Sequence, residues 1–227
     1  LQRKLLEHRG AAELARKPRG RAKKKPLPEP RRHALALVAC EVAVGAARDT
    51  TATLRVLLGL DGPTRRIGDL QLGLKGLGFP PTDLQQTLPQ QLMLLRAAQS
   101  MRPHLEGLDR DRIAVFVGTD IDPAGARHGC RWRLEAFLGR PCREAERDAV
   151  VPALQAAGVV GTMPNMPANR LNSALDVRGP GMVVSDGFAS GRQALELAAD
   201  AIARGELDAA LVGAVDASGG AFGDDPS

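Results

Sequence analysis

Between Gly179 and Asp216 short apolar runs flank one long helix-forming stretch. Met182 to Val184 is apolar and β-branched, Ser185-Asp186-Gly187 breaks it, and Ala189 to Ala203 is almost all good helix formers. Gly205 sits where a helix ends on a left-handed residue, and Ala209 to Val215 is a second apolar run. Strand, turn, helix and strand in this order predict a parallel βαβ unit. The small residues Ala189, Ser190, Gly191, Ala194, Ala198, Ala199 and Ala201 predict a helix buried all round.

The same reading extends upstream. Arg112 to Gly118 predicts a buried strand, followed by Thr119-Asp120-Ile121-Asp122-Pro123 at the end where open α/β sheets place ligands. Residues 33–44 predict an opening strand, with Cys40 a small buried hydrophobe. Asp49 or Thr50 caps a helix running to about Leu58, and Asp61-Gly62-Pro63 turns the chain. Thr82-Asp83 or Thr87 caps the next helix, which has Pro89 in its first turn and Leu92, Leu94, Leu95 and Ala98 inward. Residues 124–157 read as two helical stretches about Gly139-Arg140-Pro141, with Trp132 packed, and 161–167 as an irregular loop.

Charge divides the chain. Residues 1–32 hold 12 Lys/Arg against three acids, which leaves 19 against 23 in the remainder. Four prolines in 17–32 mark a linker or the tail of an upstream domain; a nucleic-acid or anionic-membrane arm is the sharper alternative. The folded domain is expected over 33–227. Five Phe, one Trp and no Tyr leave little stacking surface for nucleic acid, and no partner of that kind is expected. No 18-residue apolar stretch or signal-peptide core is present, so neither a membrane partner nor export is expected. Cys40, Cys130 and Cys142 are widely spaced, as reduced thiols of a cytoplasmic protein would be. His128 with Cys130 and Cys142 lacks paired metal-ligand spacing, so neither a metal nor another cofactor is expected.

A helix N-terminus at the end of a strand suits a nucleophile, because free amides and the helix dipole stabilise a thiolate or an oxyanion. Here the stretch resembles a family. Gly179-Pro180, Ala194-Leu195, Gly205-Glu206, Asp208 and Gly213 are similar to the nucleophile-elbow segment of β-ketoacyl synthases of the thiolase superfamily. The resemblance extends to Gly161-Thr162-Met163-Pro164-Asn165, Asn169-Arg170-Leu171 and, more faintly, Leu88-Pro89-Gln90-Gln91-Leu92. It implies the N-terminal half of a thiolase-like α/β fold, with a mostly parallel mixed sheet and buried helices.

In the resembled family this elbow carries the catalytic cysteine; in register, this chain has Phe188. A phenyl ring has no lone pair to attack a thioester. The family also needs two later histidines, whereas the last histidine here is His128. The resemblance therefore implies no catalytic residue and a silent ketosynthase-like domain of a polyketide or fatty acid synthase (polyunsaturated fatty acid synthases included), comparable to chain-length factors. It would pair as a homodimer or with a ketosynthase, shape an acyl tunnel, or dock an acyl carrier protein. Phe188, Met163 and Met166 are its expected substrate-lining residues, and Met182, Val183 and Val184 its expected partner-binding strand. Two alternatives stand beside it. One is part of an active synthase completed by further chain; the other is a hydrolase or acyltransferase using Ser185 or Ser190, although Gly187 to Gly191 sets serine one place late for Gly-x-Ser-x-Gly.

Overall fold

The computed structural model describes residues 35–43, 49–61 and 71–217. The basic lead-in, the Gly62-Pro63 part of the predicted turn and the last ten residues lie outside them. Helices α1 (Thr50–Leu57), α2 (Pro81–Gln85) and α3 (Pro89–Met101) precede strand β1 (Ile113–Thr119). Then come α4 (Pro123–Leu138), α5 (Glu144–Val150), α6 (Ala156–Thr162), α7 (Pro167–Leu175), β2 (Gly181–Val184), α8 (Ser190–Ala203) and β3 (Ala209–Val215).

The three strands form one parallel sheet in the order β2-β1-β3. Its central strand is buried along its whole length, as its continuous apolar run requires. Side chains alternate across it: Ile113, Val115 and Val117 join Leu94, Leu95, Ala98, Leu171 and Ala174 on the α3/α7 side. Ala114 and Phe116 join Ala194, Ala198 and Ala201 of α8 on the other. Helices therefore cover both faces of the sheet, the layering of an α/β fold.

Several expectations are corrected. Residues 35–43 form no strand: Leu37 and Val38 are exposed, as is Cys40, which is not the buried hydrophobe expected. An unladdered segment cannot hide apolar side chains or satisfy its own amides. This one is tied instead to α1, where the Thr53 hydroxyl donates to the Val42 carbonyl at 3.1 Å and that of Thr50 to Cys40 at 3.4 Å. Asp49 caps α1 as expected. The residues 80–101 make two helices, and none of Thr82, Asp83 or Thr87 caps either. The Thr87 hydroxyl is drawn back to the Asp83 carbonyl at 2.8 Å and also accepts from Arg170 at 3.0 Å. Residues 161 and 162 belong to α6 rather than to a loop.

Trp132 is 81% exposed, not packed. Arg131, one helical step away, takes the inward position because Glu144, Asp148 and the Val151 carbonyl all accept from its guanidinium. Helix α8 is striped, not buried all round. Ser190, Ala194, Ala198 and Ala201 face the sheet, while Arg192, Leu195 and Glu196 face outward.

Two glycines set how closely α8 can approach the sheet. A Cβ on Gly118 would stand 2.5 Å from the Gly191 amide nitrogen and 2.6 Å from the Ser190 oxygen. Gly118→Ala should therefore destabilise the fold by at least about 1–3 kcal/mol, the range for overpacking, since the obstruction is backbone. Gly129→Ala, in open space within α4, should instead raise stability by about 0.4–1 kcal/mol. Denaturant midpoints of the two variants check the pair; equal midpoints would contradict this packing.

Candidate functional site

The site lies where β1 and β2 end and α8 begins. Strand β2 gives way at Ser185 to a turn in which Gly187 takes φ of 51°, a left-handed conformation that a side chain would strain. The Ala189 amide donates to the Asp186 carbonyl at 3.0 Å and the Ser190 amide to the Gly187 carbonyl at 3.2 Å. The Ser190 hydroxyl closes the turn from inside, accepting from the Asp186 amide at 2.8 Å and donating to the Gly187 carbonyl at 2.7 Å. Gln193 reaches back to the Asp186 carboxylate at 3.2 Å.

This arrangement throws residue 188 outward. Phe188 is fully exposed, two residues before the first residue of α8. The N-cap, Ala189, offers no side-chain cap, so the first amides of α8 have no carboxylate or hydroxyl neutralising them. A group at the tip of the turn thus meets a partial positive charge at the end of a parallel sheet, the geometry that stabilises an oxyanion or a thiolate. Phe188 offers that field no nucleophile.

The other predicted residues lie on several other elements. Met163 is 38% exposed and Met166 half-buried, both in the turn joining α6 to α7. The backbone of that turn is fixed by Gln91, whose side-chain amide donates to the carbonyls of Gly161 at 2.9 Å and Met163 at 3.2 Å. Neither methionine nor Phe188 belongs to the packed clusters on the two faces of the sheet. Met182, Val183 and Val184 lie on β2, an edge of the described sheet; Met182 is exposed, and Val183 and Val184 are half-buried. Ser190 is buried with its hydroxyl engaged in the turn, which leaves it poorly placed for attack, whereas Ser185 is exposed. Among the described residues no group of three or more His, Cys, Asp or Glu side chains could hold a metal.

Three features that position this site were missed in the sequence. Asp122 is a buried carboxylate just beyond β1, and it caps two helices at once. One oxygen accepts from Ala124 of α4 at 2.9 Å and the other from Gln90 of α3 at 3.1 Å. The Asp-Pro pair signals the first cap; nothing local signals the second, 32 residues away. Arg170, nearly inaccessible, donates from Nη2 to both carboxylate oxygens of Asp83, at 3.0 and 3.1 Å, and stacks on Phe79 at 5.0 Å. Ser190 serves as an internal staple rather than as a filler residue.

A parallel sheet covered on both faces, with a strand–turn–helix elbow at its carboxyl end, defines the class of α/β proteins that present a reactive group at a helix N-terminus. The chain belongs to the β-ketoacyl synthase family: the family's N-terminal domain matches residues 75–223. No curated protein matches the chain. A solved structure similar to it is "Ketosynthase (ApeO) in Complex with its Chain Length Factor (ApeC) from Xenorhabdus doucetiae". The identity is 18% and the TM-score 0.46, over 66% of this chain and 35% of that one. The chain thus spans about a third of the length of that structure's chain. The family assignment rests on the domain match.

Ser190→Ala would remove the acceptor of the Asp186 amide and one of the two donors to the Gly187 carbonyl in a solvent-exposed turn, and should destabilise the fold by about 0.5–1.5 kcal/mol. Thermal unfolding measures this. Labelling of wild-type Ser190 by a fluorophosphonate would show that the hydroxyl is a nucleophile after all.

Proposed function

We propose that this domain is a catalytically silent member of its family, acting by pairing with a ketosynthase or with a second copy of itself within a polyketide or fatty acid synthase. The observation that carries the proposal is Phe188. A benzyl side chain stands at the elbow tip that the resemblance assigns to the nucleophilic cysteine, and the hydroxyl at the start of the helix behind it, that of Ser190, is buried and engaged in the turn. The roles left to such a domain are those that need shape rather than reactivity: pairing, lining an acyl tunnel, or docking a carrier protein.

The edge position of β2 supports the pairing role. An edge strand carries a row of backbone groups open to a further strand, and a short apolar strand with an exposed Met182 is suited to antiparallel addition. Phe188, Met163 and Met166 would then face the acyl side of the joined surfaces, at the carboxyl end of the sheet. No helix among the described residues is long and apolar enough to cross a membrane.

Two measurements test this reading. Light scattering on the 227-residue chain should give a dimer at micromolar concentration, with Met182→Lys shifting it to monomer without changing the circular dichroism. A folded chain that stays monomeric alone and beside a ketosynthase would refute pairing. Phe188→Cys should react with iodoacetamide at least tenfold faster than the exposed Cys130, because the start of α8 stabilises the thiolate. The 227-residue variant should still lack condensing activity, since this stretch holds no histidine after position 188 to serve as general acid or base. Reaction at the Cys130 rate would remove Phe188 from the nucleophile position, and turnover would end the silent reading.

A further inference from the structure

We propose that α4 and α5 form a hairpin that opens and recloses on its own while the sheet stays folded, with Arg131 as its lock. The proposal rests on how the domain is layered and not on the pairing reading. Arg131 is the one buried residue of α4, and α5 buries none. Neither packed cluster on the faces of the sheet takes a side chain from 123–150. The two helices pack on each other and touch the remaining elements only marginally. Elements unfold together chiefly because they share apolar burial, and this stretch shares almost none with the sheet.

Charge joins α4 to α5. Arg131 donates to Asp148 at 2.7 Å and to the Val151 carbonyl at 2.9 Å, and its other terminal nitrogen pairs with Glu144. Arg147 crosses in the opposite sense, pairing with Glu135 at 2.8 Å and donating to the Arg131 carbonyl at 3.2 Å. Glu146 pins the connecting turn, accepting from Arg140 at 2.6 Å and from the Arg143 amide at 2.8 Å. The side chain of Glu144 is 68% exposed, that of Arg131 only 9%. A guanidinium so deep is tolerated only beside its carboxylates; without them, water must reach it, and the two helices must part.

The ends of this excursion meet at one place. Asp122, which holds the start of α4, also accepts from the Gln90 amide at the start of α3. Beyond α5, the Gly161 carbonyl accepts from the Leu88 amide at 3.0 Å, one helical step from the same point. The hairpin is therefore a flap whose two anchors stay fixed on α3 when it opens. One anchor lies just past β1, and the other lies two residues before Met163.

Hydrogen exchange read by mass spectrometry on the 227-residue protein tests this. Below the unfolding transition, amides of 126–150 should exchange at least tenfold faster than those of β1. Their rate should depend weakly on urea, because the opening exposes little surface, whereas that of β1 should depend on it steeply. Arg131→Glu should speed exchange in 126–150 at least tenfold more and leave β1 and α8 unchanged. Adding Glu144→Arg and Asp148→Arg to that variant should restore most of the lost protection. One urea dependence common to 126–150 and β1 in the wild-type protein would overturn the proposal, since the two would then unfold together. Unchanged exchange in Arg131→Glu, an equal loss of protection in β1 and α8, or a triple variant that restores nothing would each overturn it as well.

Discussion

The close approach of the first turn of α8 to the carboxyl end of the central strand is the constraint on which the site depends. At Gly118 the backbone of β1 and that of Ser190 and Gly191 meet with no room for a methyl group between them, and a Cβ on Gly191 would stand 2.9 Å from the methyl of Ala214 on β3. A helix seated this tightly points its free amides at a fixed place just beyond the strand ends. The turn before it can then be short, left-handed at Gly187 and closed by Ser190, so residue 188 emerges just before the start of the helix. In a looser packing the elbow would be a mobile loop with no defined direction.

That arrangement separates scaffold from chemistry. The positioning parts of a nucleophile elbow are present: the strand, the sharp turn, the uncapped helix start and the glycines that let them touch. In the register proposed above, carbon stands in place of the reactive atom. A domain that retains the geometry of a site without its nucleophile still offers a shaped and polarised surface, which is why the proposed roles concern pairing and tunnel walls. Family membership is consistent with this, since the match over residues 75–223 covers the elbow and the layers beneath it.

Much of the architecture was legible because it is written in local patterns. The continuous apolar run of β1, the Ser-Asp-Gly break after β2 and Gly205 beyond α8 each specify an element through its own sequence, and the structure places strand, turn and helix there, with Gly205 at φ of 72°. The resemblance of Gly179-Pro180 and Gly205-Glu206 to the family's elbow was likewise a local signal. What failed depends on partners distant in sequence. Residues 35–43 have strand composition but no ladder, and composition says nothing of whether a neighbour is there to pair. Trp132 was expected inside because it is large and apolar, yet three acceptors on and beyond α5 give Arg131 the better claim to that position. The stripe on α8 was hidden by its alanines, which fit a buried or an exposed face equally well.

The shared carboxylate of Asp122 has a mechanical consequence. Because α3 and α4 begin on the two oxygens of one side chain, neither helix can slide along its axis without pulling on the other. A shift of either helix along its axis would therefore cost the other its cap, just past the end of the central strand.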